Sequence, residues 1–411
     1  MPERLKVCAS SYSLLKYNSM NTPIKILLFS SLYPSKSRPV HGIFVETRLH
    51  HLLESNEVEV RVVAPVPWFP FTNPIFGEWS TISKTPSYDF FHNIFVCYPR
   101  YLLIPKIGMS VAPLFMALFS LRMILKIQKE FNFDLIDAHY YYPDGVAAAL
   151  ISKFTNRPVI ITARGTDINL IPNYLIPRML IKWASEHASG SIGVCQALVD
   201  RLLSIGTNPS KVYVFKNGVD LKLFKPLSQK SCRAKLGLKD CYWLISVGWL
   251  IERKGHDIAI KALVHLPEVH LAIIGDGEQL NYLISLSFQL GVSDRVKFVG
   301  SIPHDILAEW YNSADALVLC SSREGWANVI LESMACGTPV IATAIWGTPE
   351  VIRNDSVGRL MKDRTPESLA DCVQDLFMNY PCKSSIRNYA EGFSWDETTR
   401  CQVELFKRVL S

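Results

Sequence analysis

Short apolar runs that close on small polar residues recur along the chain, with longer mixed stretches between them. "IKILLFSS" (24–31) is such a run. An unbroken apolar segment of that kind predicts a strand buried on both faces of a parallel sheet. "HGIFVETRLHHLLES" (41–55) then opens a helix, and "VEVRVVAPV" (58–66) predicts a second strand. "FDLIDAHY" (133–140), "PVIITARG" (158–165), "SGSIGV" (189–194) and "KVYVFKNGVD" (211–220) repeat the pattern. Such strand–helix alternation predicts a doubly wound α/β sheet.

The polar, poorly periodic segment 224–240 interrupts the alternation. It restarts with "YWLISVGWL" (242–250), "VHLAIIGDG" (269–277), "RVKFVGSI" (295–302), "ADALVLCSS" (314–322) and "TPVIATAI" (338–345). The pattern therefore predicts two Rossmann-like, doubly wound parallel-sheet domains in series, joined near 217–240 and facing a central cleft. The expected divisions are a loosely held leader at 1–22, a first domain at 23–217, a second at 218–390, and a closing helix at 391–411 able to cross back to the first domain. Ligands of open α/β sheets bind beyond the carboxyl ends of the strands, so residues just after strands are the functional candidates.

Composition narrows the class. A chain of 411 residues, half of them apolar, can build two or three packed domains. The net charge of +6 fits ordinary solubility, an anionic substrate or an acidic lipid surface alike. Nothing points to nucleic acid. Ten cysteines form no C-x-x-C pair and no zinc-spaced cluster, as expected of a reduced cytosolic protein. The uncharged, apolar run Ile107 to Leu121 is fifteen residues and contains Pro113. A membrane span needs about 20 residues, so none is expected. The following "LRMILKIQKEF" (121–131) fits either an amphipathic core helix or a membrane-surface contact. The first twenty residues lack the apolar core of a secretory signal, and Met20 is a possible natural start.

The chemistry concentrates in "REGWANVILESMACGTPVIAT" (323–343), where Glu324 and Glu332 stand eight positions apart. "SSREGWAN" is the turn after a strand and "VILESMAC" the helix, stopped by Gly337. A helix start offers unpaired N–H groups and partial positive charge, suited to a phosphate or diphosphate. Glu324 should then point sideways, toward neutral hydroxyls. On a wholly helical path the two carboxylates lie about 12 Å apart. That separation suits a diphosphate with a sugar at one end and a ribose diol at the other. From spacing alone, a helix-dipole partner at Glu324 and a surface glutamate at Glu332 fit as well.

"EGWANVILESMACGTPVIAT" resembles the E-x7-E signature of glycosyltransferase family 4, retaining enzymes of GT-B fold. "GIFV" (42–45), "DAHYYYPDG" (137–145), "TARGTDIN" (162–169), "NGVD" (217–220), "SVGWLIERKG" (246–255), "IIGDGE" (273–278) and "FSW" (393–395) follow the family in order, so the resemblance covers about residues 24–400. It implies that Glu324 holds the donor sugar's hydroxyls. The backbone of Gly325, Trp326, Ala327, Asn328 and Val329 would approach sugar and diphosphate, and Glu332 would bind the ribose. Lys254, with Arg253 beside it, would neutralise the leaving diphosphate. Gly42 would let a loop of the first domain come close to the donor.

The chain departs from the family where many relatives have arginine, at Trp249, and where many have histidine, at Arg164. A guanidinium cannot serve as a general base. Arg164 is expected to pair with phosphate or with Asp167, or to form a structural Arg–Asp turn. His139 and Asp144 are expected to face the cleft, His139 either touching a sugar or packed and satisfied. Gly275 begins a tight turn expected near the nucleotide; Leu280 breaks any dinucleotide fingerprint. The chain has no D-x-D, so no metal and no cofactor are implied.

The expected reaction moves a sugar from a UDP- or GDP-linked donor to a hydroxyl of a glycan or lipid-linked acceptor, in polysaccharide or glycolipid biosynthesis. The aromatic, proline-rich loop 64–79 and the basic, apolar 101–129 region suggest peripheral contact with the inner face of the membrane. A nucleotide-sugar epimerase, a phosphorylase-like enzyme and a catalytically inactive sugar-binding scaffold are the rival classes.

Overall fold

The computed structural model describes residues 22–104 and 108–411. Residues 1–21 of the expected leader, Cys8 among them, lie outside the described residues, as does Ile107. In the first half the elements run β1 (Ile24–Phe29), α1 (Ile43–Glu54), β2 (Val58–Val63), β3 (Val66–Pro67), α2 (Glu78–Ser83), β4 (Tyr88–Phe91), β5 (Ile94–Cys97), β6 (Arg100–Tyr101), α3 (Gly108–Phe131), β7 (Leu135–His139), α4 (Val146–Thr155), β8 (Val159–Ala163), α5 (Thr166–Asn169), α6 (Leu175–His187), β9 (Gly190–Gly193), α7 (Gln196–Ser204) and β10 (Val212–Val214). The second half continues with α8 (Gln229–Leu236), β11 (Tyr242–Val247), α9 (His256–Ala262), β12 (Val269–Ile274), α10 (Leu280–Gln289), β13 (Val296–Gly300), α11 (His304–Ser313), β14 (Ala316–Leu319), α12 (Asn328–Ala335), β15 (Val340–Thr343), α13 (Thr348–Val351), β16 (Gly358–Met361), α14 (Pro366–Met378), α15 (Lys383–Glu391) and α16 (Trp395–Leu410).

The first sheet has the order β10-β9-β8-β7-β1-β2-β5-β4 and the second β13-β12-β11-β14-β15-β16. Every pairing is parallel except β4 with β5. Central strands such as Leu135–His139 and Val159–Ala163 are buried at every position, which is why they read as continuous apolar runs. Among the parallel strands the order reverses between β1 and β7 in the first sheet and between β11 and β14 in the second. These switch points open crevices at the carboxyl ends.

α16 does not stay with the second sheet. Gly218 passes so close to Trp395 that a Cβ would have no room, and Val219 bridges to Ser394. The helix then packs on α1: Phe406 joins the core of Val45, Leu49 and Ile26, and Arg48 Nε donates to Gln402 Oε1 at 2.8 Å.

Two expectations need correction. The 64–79 segment is not one loop: it contains β3, which pairs with β6, and leads into α2, while β4 and β5 add an antiparallel hairpin at the sheet edge. Gly108–Phe131 is one 24-residue helix that continues through Pro113 and past Arg122 and Lys126. It has the length and apolar composition of a membrane span, which counting only uncharged residues had missed. Met116, Ile124 and Ile127 nevertheless bury one face of it in the sheet's core, as in a core helix.

Because α16 completes the first domain's core, Phe406→Ala should lower the free energy of unfolding by about 3–5 kcal/mol, read from urea denaturation followed by circular dichroism.

Candidate active site

The segment after β14 and the turn after β11 meet at the second sheet's switch point. Gly255 lets this happen: its φ is +71°, and a Cβ there would collide with the Cys320 carbonyl. The turn Glu252–Lys254 is thereby pressed against the end of β14. Lys254 Nζ donates to Glu324 Oε1 at 2.7 Å, Ser321 Oγ donates to the same oxygen at 2.7 Å, and Arg253 Nη1 lies 3.7 Å from Oε2. Burial pushes the Glu324 pKa up, but the charge and hydrogen bond of Lys254, with Arg253 and Ser321, outweigh it and hold the pKa below its ordinary value. Glu324 therefore faces two cations and a hydroxyl, where neutral sugar hydroxyls alone were expected.

α12 begins only at Asn328, so the helical estimate of the Glu324–Glu332 separation does not apply. Ala327 at its N-cap supplies no side-chain acceptor, and its first turn holds no acid. The start of this helix is a bare, electropositive cluster of backbone groups beside Lys254. Glu332, one turn in, is buried. Its Oε1 is 3.1 Å from His304 Nε2 and its Oε2 accepts from Tyr311 Oη at 2.8 Å. Burial lowers the His304 pKa, yet the Glu332 carboxylate raises it further, for a net upward shift.

The first domain contributes a buried polar chain. Arg164 Nη2 donates to His139 Nδ1 at 2.5 Å, which leaves His139 Nε2–H to donate to Asp137 Oδ2 at 3.2 Å. Burial pushes the His139 pKa down to about 4, so the ring is neutral. Arg164 Nη1 donates to Asn217 Oδ1 at 3.2 Å, and Asn217 Nδ2 to Asn328 Oδ1 at 3.1 Å. The chain thus runs from the first sheet through the interdomain connection to the start of α12. The guanidinium does not pair with Asp167. That carboxylate instead accepts from the amides of Tyr141, Arg164 and Gly165, which fixes the loop. Burial lowers the Arg164 pKa, and its guanidinium lies 5.4 Å over the Phe44 ring.

The other predicted residues divide. Gly325 touches the opposite domain, where a Cβ would overlap the Arg164 carbonyl and lie 3.0 Å from the Gly165 Cα. Carboxyl-end loops of both sheets therefore meet here. Gly42 (φ +72°) has its close approach to the Leu32–Tyr33 backbone of its own domain, and Gly275 (φ +144°) to the Gly248 carbonyl. Trp326 is buried against the connection, with Lys216 Nζ 5.5 Å from its ring. Ala327 is buried, and Val329 half-buried. His139 and Asp144 do not open onto the cleft: both are buried. Asp144 takes hydrogen bonds from the Ser31 amide and, at 3.0 Å, its hydroxyl. Its burial raises its pKa to about 7 despite those bonds. Trp249 is exposed. Among the described residues one group could hold a metal, Glu46 with His50 and His92, outside the switch point. His304, Tyr311, Ser321 and Asn217 are not among the predicted site residues; Asn217 carries a signal in "NGVD" and Ser321 in "SSREGWAN".

Comparison with known proteins follows the same division of the chain. The model of the family described as Glycosyltransferase Family 4 matches residues 47–223, and that described as Glycosyl transferases group 1 matches residues 228–393. An uncharacterised glycosyltransferase of Methanocaldococcus jannaschii is 32% identical over 295 residues, 67% of this chain and 75% of that protein. A Bacillus subtilis protein named as a teichuronic acid biosynthesis glycosyltransferase is 27% identical over 359 residues, 85% and 88% of the two chains. Among solved structures, sucrose-phosphate synthase from Thermosynechococcus elongatus superposes with a TM-score of 0.76 at 19% identity, covering 94% of this chain and 99% of that one. HepE of Anabaena in complex with UDP-glucose gives 0.71 at 21%, covering 94% and 100%.

Removing one partner of the buried pair leaves the other uncompensated, so Lys254→Ala should destabilise the protein by about 3 kcal/mol and the added Glu324→Gln should restore part of that. The depressed Glu324 pKa sets the sign of the pH effect. The stability advantage of wild type over Glu324→Gln should be complete above the ordinary glutamate pKa and lost as pH falls through the lower folded value. Urea unfolding across pH checks both.

Proposed function

The chain belongs to the family 4 glycosyltransferases and has the GT-B fold, and we propose that it transfers a sugar, with retention, from a nucleotide-diphosphate sugar to a hydroxyl of a glycan or lipid-linked acceptor. The observation that carries this is the Lys254–Glu324 pair beside the uncapped start of α12. A diphosphate docked on those amides would draw Lys254 away from Glu324. That exchange would neutralise the leaving group and free a carboxylate for the donor sugar's hydroxyls in one step. Glu332, held by Tyr311 and His304, keeps lone pairs for the ribose diol.

In the transfer, the bond from the sugar's anomeric carbon to the diphosphate oxygen breaks and a bond to the acceptor oxygen forms on the same face. The acceptor's proton passes to the departing phosphate oxygen, so no side-chain base is required. Neutral, buried His139 and cationic Arg164 fit this, since neither faces the acceptor as a free base. The chain's task is to hold the developing negative charge in a site closed to water. UDP-glucose bound by HepE supports a nucleotide-sugar donor, and the B. subtilis relative supports a cell-surface polymer as the product.

We place the acceptor at the cytoplasmic face of a membrane. The nine described cysteines are all unpaired, in keeping with a reducing compartment. On the outer face of α3, Leu114, Leu118, Phe119 and Leu125 are exposed, and Arg122, Lys126 and Lys129 lie among them. Trp68, Phe71 and Ile75 extend the apolar surface near β3 and β6. An apolar face edged with basic side chains suits an anionic lipid surface, each cation contributing about 1 kcal/mol.

Lys254→Ala should remain folded yet lose turnover by about 100-fold or more; full activity in that variant would remove the leaving-group role. A thermal-shift screen of nucleotide sugars identifies the donor, since ligand at about 100 times its Kd adds about 2.7 kcal/mol to the folded state. The protein should sediment with anionic vesicles, weakly with neutral ones, and lose that binding in Leu114→Glu/Leu118→Glu. Wild-type protein left in the supernatant with both would contradict membrane docking.

A further inference from the structure

α7 belongs to the first domain and lacks a cap of its own. Cys195, at its N-cap, makes no side-chain cap hydrogen bond, and the first turn holds no acid. The cap comes from the second domain. Glu350, on the short helix α13, accepts from the Gln196 amide through Oε2 and from the Ala197 amide through Oε1, each at 2.9 Å. Lys216, in the connection between the domains, places Nζ 3.6 Å from Oε2. The surrounding seam is tight. Cys195 Sγ lies 3.4 Å from the Gly325 carbonyl oxygen, and a Cβ on Gly347 would come within 3.1 Å of the Cys195 side chain.

A carboxylate that spans two amides of a first turn satisfies orphan donors and meets the positive end of the helix. Such bonds to an ionised acceptor are stronger than neutral ones. Here they exist only while the domains are together, because donors and acceptor belong to different domains. They therefore add to the closed state alone, and a contact with that differential shifts a two-state equilibrium. Water takes their place when the cleft opens, so the shift is modest and reversible, as turnover with product release requires.

We infer that Glu350 is an interdomain latch: its carboxylate caps α7 across the seam, favours the closed cleft, and so positions Gly325 against Arg164 and Gly165. It is a positioning residue and touches no reacting atom. The latch stands on the seam and not on the identity of the donor, so its test reads the state of the cleft directly.

The experiment compares wild type, Glu350→Ala and Glu350→Gln as full chains, by hydrogen exchange of peptides covering 195–204, small-angle scattering and donor kinetics. Glu350→Ala should exchange faster at the start of α7, show a larger radius of gyration, and raise the donor KM about fivefold, equivalent to about 1 kcal/mol, with kcat unchanged or higher. Glu350→Gln keeps one acceptor oxygen and the side-chain volume, so it should fall between the two and guards against misfolding of the alanine variant. Unchanged exchange and unchanged scattering in both variants would overturn the inference. So would faster exchange at α7 with scattering and KM unaltered, which would make Glu350 a helix cap without influence on closure. Exchange and scattering decide the matter even if no nucleotide sugar is turned over.

Discussion

The ion pair between Lys254 and Glu324 is the contact on which the rest of the site depends. It sits where the second sheet reverses its strand order, so its two members arrive from neighbouring strands whose connections run opposite ways. Burying two charges is costly unless geometry and further hydrogen bonds compensate. Ser321 supplies such a bond, and Arg253 adds a second cation 3.7 Å from the carboxylate. Such a pair is an inefficient way to stabilise a fold. In the function proposed above, it holds a cation in readiness beside a bare helix start, to be surrendered when an anion with more charge arrives.

Everything around the pair restricts how the two domains can meet. Gly325 and Gly165 bring backbone against backbone, where any side chain would force the loops apart. The buried chain of Asp137, His139, Arg164, Asn217 and Asn328 then ties the first sheet to the start of α12. Behind it, Gln402 of α16 donates to Asp137 and accepts from Arg48. The returning C-terminal helix therefore supports the same polar chain from the far side. A network of this kind gives up some stability for one defined arrangement.

How much of this was legible in the sequence follows from the range of each interaction. The buried central strands declare themselves as continuous apolar runs, and the turn–helix–glycine order of 323–343 marks the site locally. The partners of that stretch are another matter. His304 and Tyr311 reach Glu332 from a helix whose sequence carries no site signature, and Glu350 meets α7 from 153 residues away. The pairing of Arg164 with His139 instead of Asp167 turns on which polar group the loop's amides use first, a question of three-dimensional satisfaction. Gly42 and Gly275 both have positive φ, and the close approaches that need them are to Leu32 and Gly248. A glycine announces that something comes near without saying what. α3 is longer than its uncharged run, because that run stops at Arg122, whereas a helix carries its basic side chains outward and continues.

The most direct test of the central claim is a crystal structure of the protein with a bound nucleoside diphosphate. The account predicts the terminal phosphate on the amides at the start of α12, Lys254 turned from Glu324 to the phosphate, and Glu332 on the ribose hydroxyls. A diphosphate bound elsewhere, or one bound there with the Lys254–Glu324 contact intact, would contradict it.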